Sequence, residues 1–237
     1  MNTKKTFRYV AGTIIFLLLS GLLYFGYIYL KYNEDLPTGE QGLEADAVAQ
    51  KMLDALNYKA LDSTSYIEWT FKNLNHYKWY KSEGVCQVIW KDYKVSLNLM
   101  DFKQSQAFVH NFEVHDEQAK TLIEQATDKF NNDSFWLLAP YKIFDPGTER
   151  RLVNSGGKIE LLVTFTEGGS TPGDSYLWKL DDSGRPVSFK MWTSIIPING
   201  LEASWTDWIT TSSGAILPTH HKVLFVGIDL GGVKATK

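Results

Sequence analysis

Cysteine is nearly absent: Cys86 is the one thiol in 237 residues, so no disulfide can form within the chain and no Cys-x-x-Cys redox or zinc pattern exists. The fold must therefore hold together by packing. An excess of one charge is missing as well. With 24 Lys and Arg against 27 Asp and Glu, the formal charge of -3 gives no electrostatic footprint for nucleic acid, which is excluded as an expected partner. Local catalytic signatures are also lacking: there is no HExxH, no Gly-x-Ser-x-Gly elbow, no phosphate loop and no dinucleotide fingerprint.

Weaker candidates for chemistry resolve into turns. Gly156-Gly157-Lys158 and Gly168-Gly169-Ser170 lie beside strand patterns and open no helix, so they offer no helix N-terminal amides to a phosphate. His220 and His221 are neighbours in a strand pattern and point to opposite faces, and His110 and His115 differ in parity. Zinc wants three or four converging ligands, so no metal is expected. Asp181-Asp182-Ser183-Gly184 reads as a tight hairpin turn, lacking the spaced acidic positions of a calcium loop. No catalytic residue and no cofactor is assigned. Asn132-Asp133-Ser134 matches a glycosylation sequon, relevant only in a secretory-pathway host.

What the chain has in abundance is apolar and aromatic surface. Tyr9 to Leu30 runs without a charge, long enough to cross the ~30 Å hydrocarbon core of a bilayer as a helix. The apolar run exceeds that of a cleaved signal peptide and ends in bulky Tyr27, Ile28, Tyr29 and Leu30, which favours an uncleaved anchor. Lys4, Lys5 and Arg8 precede it, whereas Lys31 is accompanied by Glu34, Asp35 and Glu40. The positive-inside bias then predicts a single-pass protein of the cytoplasmic (inner) membrane, with its C-terminal domain facing the periplasm or exterior. The expected organisation is a cytoplasmic N-terminus at 1–8, a transmembrane anchor at 9–30, a tether at 31–42, a folded domain at 43–230 and a polar tail at 231–237.

Within the domain, Ala45, Val48, Ala49, Met52, Leu53 and Leu56 recur at helical spacing. Period-two segments follow. Ile67, Trp69 and Phe71 alternate with Glu68 and Thr70, Tyr77 and Trp79 with Lys78, and Val95, Leu97 and Leu99 with Ser96 and Asn98. A fifth strand is predicted over Ala107 to His115. From Asp116 the period turns helical through Ala119, Leu122, Ile123, Ala126 and Phe130. The stretch Asn131 to Gly147 is the densest in apolar and aromatic residues outside the N-terminus. It reads as a plug of two short helical pieces bent at Pro140, with Asp133 placed to cap the plug helix. Strands resume at Ile159 to Phe165, Tyr176 to Leu180 and Val187 to Met191, with Trp205 and Trp208 beyond them, and a last strand at Thr219 to Ile228. About ten strands joined by short connections predict an antiparallel sheet.

Trp69, Phe71, Trp79, Trp90, Phe135, Trp136, Trp178, Met191 and Trp192 exceed what one face of a thin sheet requires. They either fill a core or line an apolar cavity closed by helices, and as ligand-binding residues they would accept a lipid or other apolar molecule. Over Leu43 to Ile228, the order of helix, meander, central helices and further meander resembles the half-barrel of the periplasmic lipoprotein-carrier superfamily, which includes Lol-type carriers and related mycobacterial lipoproteins. The phrases NDSFWLLAPYKIFDPG and TPGDSYLWKLDDSGRP look like those of uncharacterised bacterial envelope proteins. The resemblance implies a curved sheet whose helical lid holds acyl chains.

The expected fold is α+β: a strongly curved antiparallel sheet, a half-barrel, with a helical lid and one N-terminal transmembrane helix. The expected function is membrane-anchored extracytoplasmic binding of a lipid or acyl chain. Two alternatives predict different surfaces. An envelope enzyme needs a polar pocket near Asp133, Asp145, Asp174 or Arg185, and an assembly protein needs an exposed aromatic patch.

Overall fold

The structure is a computed structural model describing residues 3–168 and 170–237. The uncharged run lies inside a longer helix, α1 (Thr3–Tyr32). Phe16, Leu17, Leu18, Leu19, Leu22 and Leu23 are each more than half exposed on it, so burial that would stabilise them has to come from outside the protein. This single apolar helix fits a single-pass membrane anchor or a signal sequence.

The tether expected at 31–42 is strapped to the domain instead of swinging free. The Glu34 amide donates to the Asn199 carbonyl at 3.0 Å, and the Asn199 amide donates to Asn33 Oδ1 at 3.0 Å. The Trp192 indole donates to the Glu34 carbonyl at 2.8 Å. Further on, Glu40 exchanges both backbone hydrogen bonds with Leu152. The chain then enters α2 (Leu43–Ala55), where the helical spacing holds: Ala45, Ala49, Met52 and Leu53 are buried on one face. A short α3 (Tyr58–Asp62) follows.

The first meander comprises β1 (Tyr66–Phe71), β2 (Asn75–Tyr80), β3 (Val85–Trp90) and β4 (Tyr93–Asn98). In place of the single strand expected over Ala107 to His115, the chain makes a hairpin of β5 (Gln106–Val109) and β6 (Phe112–Val114). His110 and Asn111 turn it with φ of 49° and 68°, the left-handed pair that a two-residue hairpin turn of primed type requires.

The plug is also reorganised. One continuous helix, α4 (Asp116–Leu138), runs through it and ends in a single 3₁₀ turn, Ala139–Tyr141, carrying Pro140. Asp133 therefore lies within the helix and caps nothing. Tyr141 locks the end of this segment by donating its hydroxyl to carbonyl oxygens of Leu56 and Ile216.

The second meander comprises β7 (Thr148–Ser155), β8 (Lys158–Phe165), β9 (Ser175–Leu180), β10 (Pro186–Trp192) and β11 (Leu201–Ser204), then the short pair β12 (Ile209–Thr210) and β13 (Ile216–Leu217), and finally β14 (His220–Val223) and β15 (Val226–Thr236). The strand expected over Thr219 to Ile228 is thus broken by a turn at Leu224 and Phe225. Residues 231–236 are no tail: Tyr66 pairs with Thr236 and Phe71 with Leu230. The glycines that make this end resemble a loop form a β-bulge opposite Glu68 and Thr70, with Gly232 at φ 62°.

Thirteen strands form one antiparallel sheet in the order β6-β5-β4-β3-β2-β1-β15-β14-β11-β10-β9-β8-β7. The last strand returns beside the first and joins the two meanders into a half-barrel-like sheet that does not close. Its edges are β6 and β7, and the Glu40 bridge to Leu152 covers part of the second. The inner face, α2 and α4 share the main core. On the outer face Val153, Leu162, Leu177 and Trp192 form a separate cluster.

Candidate functional site

Strand alternation brings six of the nine predicted aromatic and methionine residues to the inner core, and α4 brings Phe135 and Trp136. Trp69, Phe71, Trp90, Trp178 and Met191 are buried there, and Trp79, Phe135 and Trp136 are half-buried against it. Trp192 is the correction. It follows Met191 in one strand and so must point to the opposite face, where it joins the outer cluster near Glu34.

These core residues pack through further rings of the sheet and of α4. Trp69 stacks on Tyr77 with ring centroids 4.4 Å apart, and Phe130 of α4 meets the edge of Trp79 at 5.4 Å. Phe135 lies 4.7 Å from Tyr176, Trp136 lies 5.8 Å from Phe189, and Trp178 meets Phe189 edge-on at 5.0 Å. These are the separations of a filled aromatic core. Cys86 belongs to it too: burial pushes its thiol pKa well up, which keeps it protonated and unreactive.

Two polar residues sit inside this apolar layer. Asp133, 3% exposed, accepts hydrogen bonds from Tyr77 and Asn75. His221, fully buried, donates Nδ1–H to the Ser204 carbonyl at 3.0 Å, and burial lowers its pKa from 6.5 to about 4. It is neutral near pH 7, with its ring 4.4 Å from that of Trp205 and 5.2 Å from that of Trp136. Its neighbour His220 faces outward to Asp229, as strand parity requires.

The groups that an enzyme would need do not converge. Asp133 is committed to the α4–β2 contact. Asp174 is held by Thr171, Tyr176 and the Ser194 amide, and Asp145 pairs with Lys142. Arg185 stands at the β9–β10 hairpin, its amide donating to Asp181. Among the described residues, no three His, Cys, Asp or Glu side chains gather as metal ligands.

Openings lie beside the aromatic core. One, about 320 Å³, separates the strapped segment from the outer face and is lined by Glu34, Asp35, Glu160, Lys179 and Lys190. A second, about 480 Å³, is a groove between the first turns of α4 and the β5–β6 edge. Its lining is mostly apolar, with Phe102, Ala107, Val114, Ala119 and Ile123 as floor, and Lys103, Glu113, His115, Lys120 and Glu124 around it. No rule of periodicity singles out these residues. The one available signal is that Ala119 and Ile123 belong to the apolar stripe of α4.

The chain matches no protein-family model and no curated protein. The class that can be stated is an α+β domain built on an open thirteen-stranded antiparallel sheet, preceded by one apolar helix.

Proposed function

We propose that the protein is a single-pass, membrane-anchored binding protein that takes a lipid acyl chain or similar apolar ligand into the groove beneath the first turns of α4. In this reading the domain is an extracytoplasmic half-barrel and α4 is its lid. The observation that carries it is the groove at the unclosed edge of the sheet. Its volume of about 480 Å³ falls within the ~300–1,000 Å³ usual for small-ligand sites, and it has an apolar floor with charged residues at the rim. The basic residues Lys4, Lys5 and Arg8 ahead of the uncharged run support the orientation, and the resemblance to lipoprotein carriers supports an acyl ligand.

Native mass spectrometry of the full chain extracted from membranes tests this. A co-purifying lipid mass is expected in the wild type. It should be lost in Ala119→Trp, which places an indole in the groove. A chain that carries no lipid and takes up none from added phospholipid overturns the reading.

A further inference from the structure

The register of the sheet places one set of turns at the end where α1 meets the domain. Asn33 and Glu34, just past α1, are bonded to the β10–β11 loop at Asn199. From that loop the pairs Met191–Leu201, Ala203–Val223, Val223–Val226, Phe71–Leu230 and Phe71–Asn75 carry the same end of the sheet through the Leu224–Phe225 turn to the Lys72–Leu74 turn. At the tips stand Ile195, 67% exposed, and Phe225 and Leu74, each 71% exposed. Lys72 and Lys222 are exposed beside them.

At the other end of the sheet the turns Lys81–Gly84, Ser155–Gly157 and Asp181–Gly184 are made of polar residues and glycine. Met100 and Phe102, in the β4–β5 connection, are exposed apolar exceptions there. The contrast has a conformational side. Leu224 holds φ 54°, a left-handed backbone for which glycine or asparagine is the easy choice, and the turn nevertheless carries Leu-Phe.

Large apolar tips flanked by lysines, at the end of the domain where an apolar helix leaves it, match the chemistry of a bilayer interface. Resting on the reading of α1 as a membrane span, we propose that Ile195, Phe225 and Leu74 seat in the interfacial layer of the membrane that α1 enters. The domain then rests on the bilayer in one orientation, its groove held at the far end of the sheet. The strapped segment 33–42 fits this arrangement, because a short, fastened exit from the helix leaves the end of the sheet beside the surface.

The test uses the full chain in vesicles of phosphatidylethanolamine and phosphatidylglycerol. An environment-sensitive fluorophore is attached at Leu18→Cys, Ile195→Cys, Leu74→Cys, Phe225→Cys or Ser183→Cys, the buried Cys86 remaining unlabelled, and quenching by spin-labelled lipid is read. The expected result is strong quenching at 18, blue-shifted emission with quenching at 195, 74 and 225, and a water-like signal at 183. If 18 is quenched while the three tips behave like 183, the resting surface is overturned and the anchor stands. If 18 itself is not quenched, the anchor reading falls and takes this proposal with it.

Discussion

Asp133, in the last two turns of α4, accepts the phenolic hydrogen of Tyr77 from β2 at 2.5 Å. Asn75 donates to the same carboxylate oxygen at 2.7 Å, and Asn132 to the other at 2.8 Å. A carboxylate this deep is tolerable only with such donors. Burial and the adjacent carboxylate raise the Tyr77 pKa, so the phenol keeps its proton and stays a donor. The pair pins α4 to the sheet. Tyr77→Phe removes one hydrogen bond to a charged group and should cost about 1.5–3 kcal/mol. Asp133→Ala strands the Tyr77 and Asn75 donors and should cost more, and the double mutant should lose less than the sum. Urea unfolding followed by circular dichroism measures all three. Additive losses would show that the two residues do not act together.

That contact also marks where sequence reasoning stops. Alternation made the inner face of the first meander legible, since Ile67, Trp69, Val95 and Leu97 all point to the core, and helical spacing did the same for α2. An aspartate preceding an apolar run looks like a cap, and only the approach of β2 makes Asp133 an internal acceptor. The turn at Leu224 and Phe225 has no turn chemistry to announce it. The last strand is hidden for a different reason: Ile228 and Leu230 alternate into the core, but the bulge at Gly231 and Gly232 breaks the period before Val233 and Ala235 resume it. The groove is local in sequence, lined entirely by residues between Phe102 and Glu124, but it forms where the chain turns from the β5–β6 hairpin into α4, and no periodicity marks how those neighbours fold over one another.

Trp136 separates core from ligand site. It packs 5.8 Å from Phe189 and 5.2 Å from His221, so Trp136→Ala should destabilise the domain by about 3 kcal/mol, the low end for a large aromatic because the ring is only half-buried. Ile123 of the groove lies more than three turns earlier on α4, about 20 Å away, so lipid carried by the folded variant should match wild type. Loss of lipid as complete as in Ala119→Trp would place the ligand among the buried rings.

The strap after α1 is held through Trp192. Trp192→Ala removes an outer-face side chain that is 8% exposed together with its bond to the Glu34 carbonyl, and should cost about 3 kcal/mol. Hydrogen exchange at the Glu34 and Glu40 amides should be slow in the wild type and markedly faster in the variant. The exposed ion pair of Lys190 with Glu34 adds little, so Glu34→Gln should leave exchange near the wild-type rate. Fast exchange at both amides in the wild type would mean that the segment swings free.

His221 makes stability depend on pH in a window that most carboxylates do not reach. The unfolded chain binds a proton there below about 6.5, while in the folded protein the ring takes one only near about 4. The folded pKa is depressed, so this contribution is fully present above about 6.5 and is lost as the pH falls toward about 4. The loss sums to about 3 kcal/mol at ~1.4 kcal/mol per pH unit. His221→Phe has no proton to bind and gives up the bond to the Ser204 carbonyl, so it should begin less stable at neutral pH yet decline less on acidification. Urea midpoints of both proteins through the mildly acidic range, above the pH at which ordinary carboxylates titrate, give the comparison. Parallel curves would show that His221 is protonated in the folded protein as readily as in water, which its place between Trp136 and Trp205 does not allow.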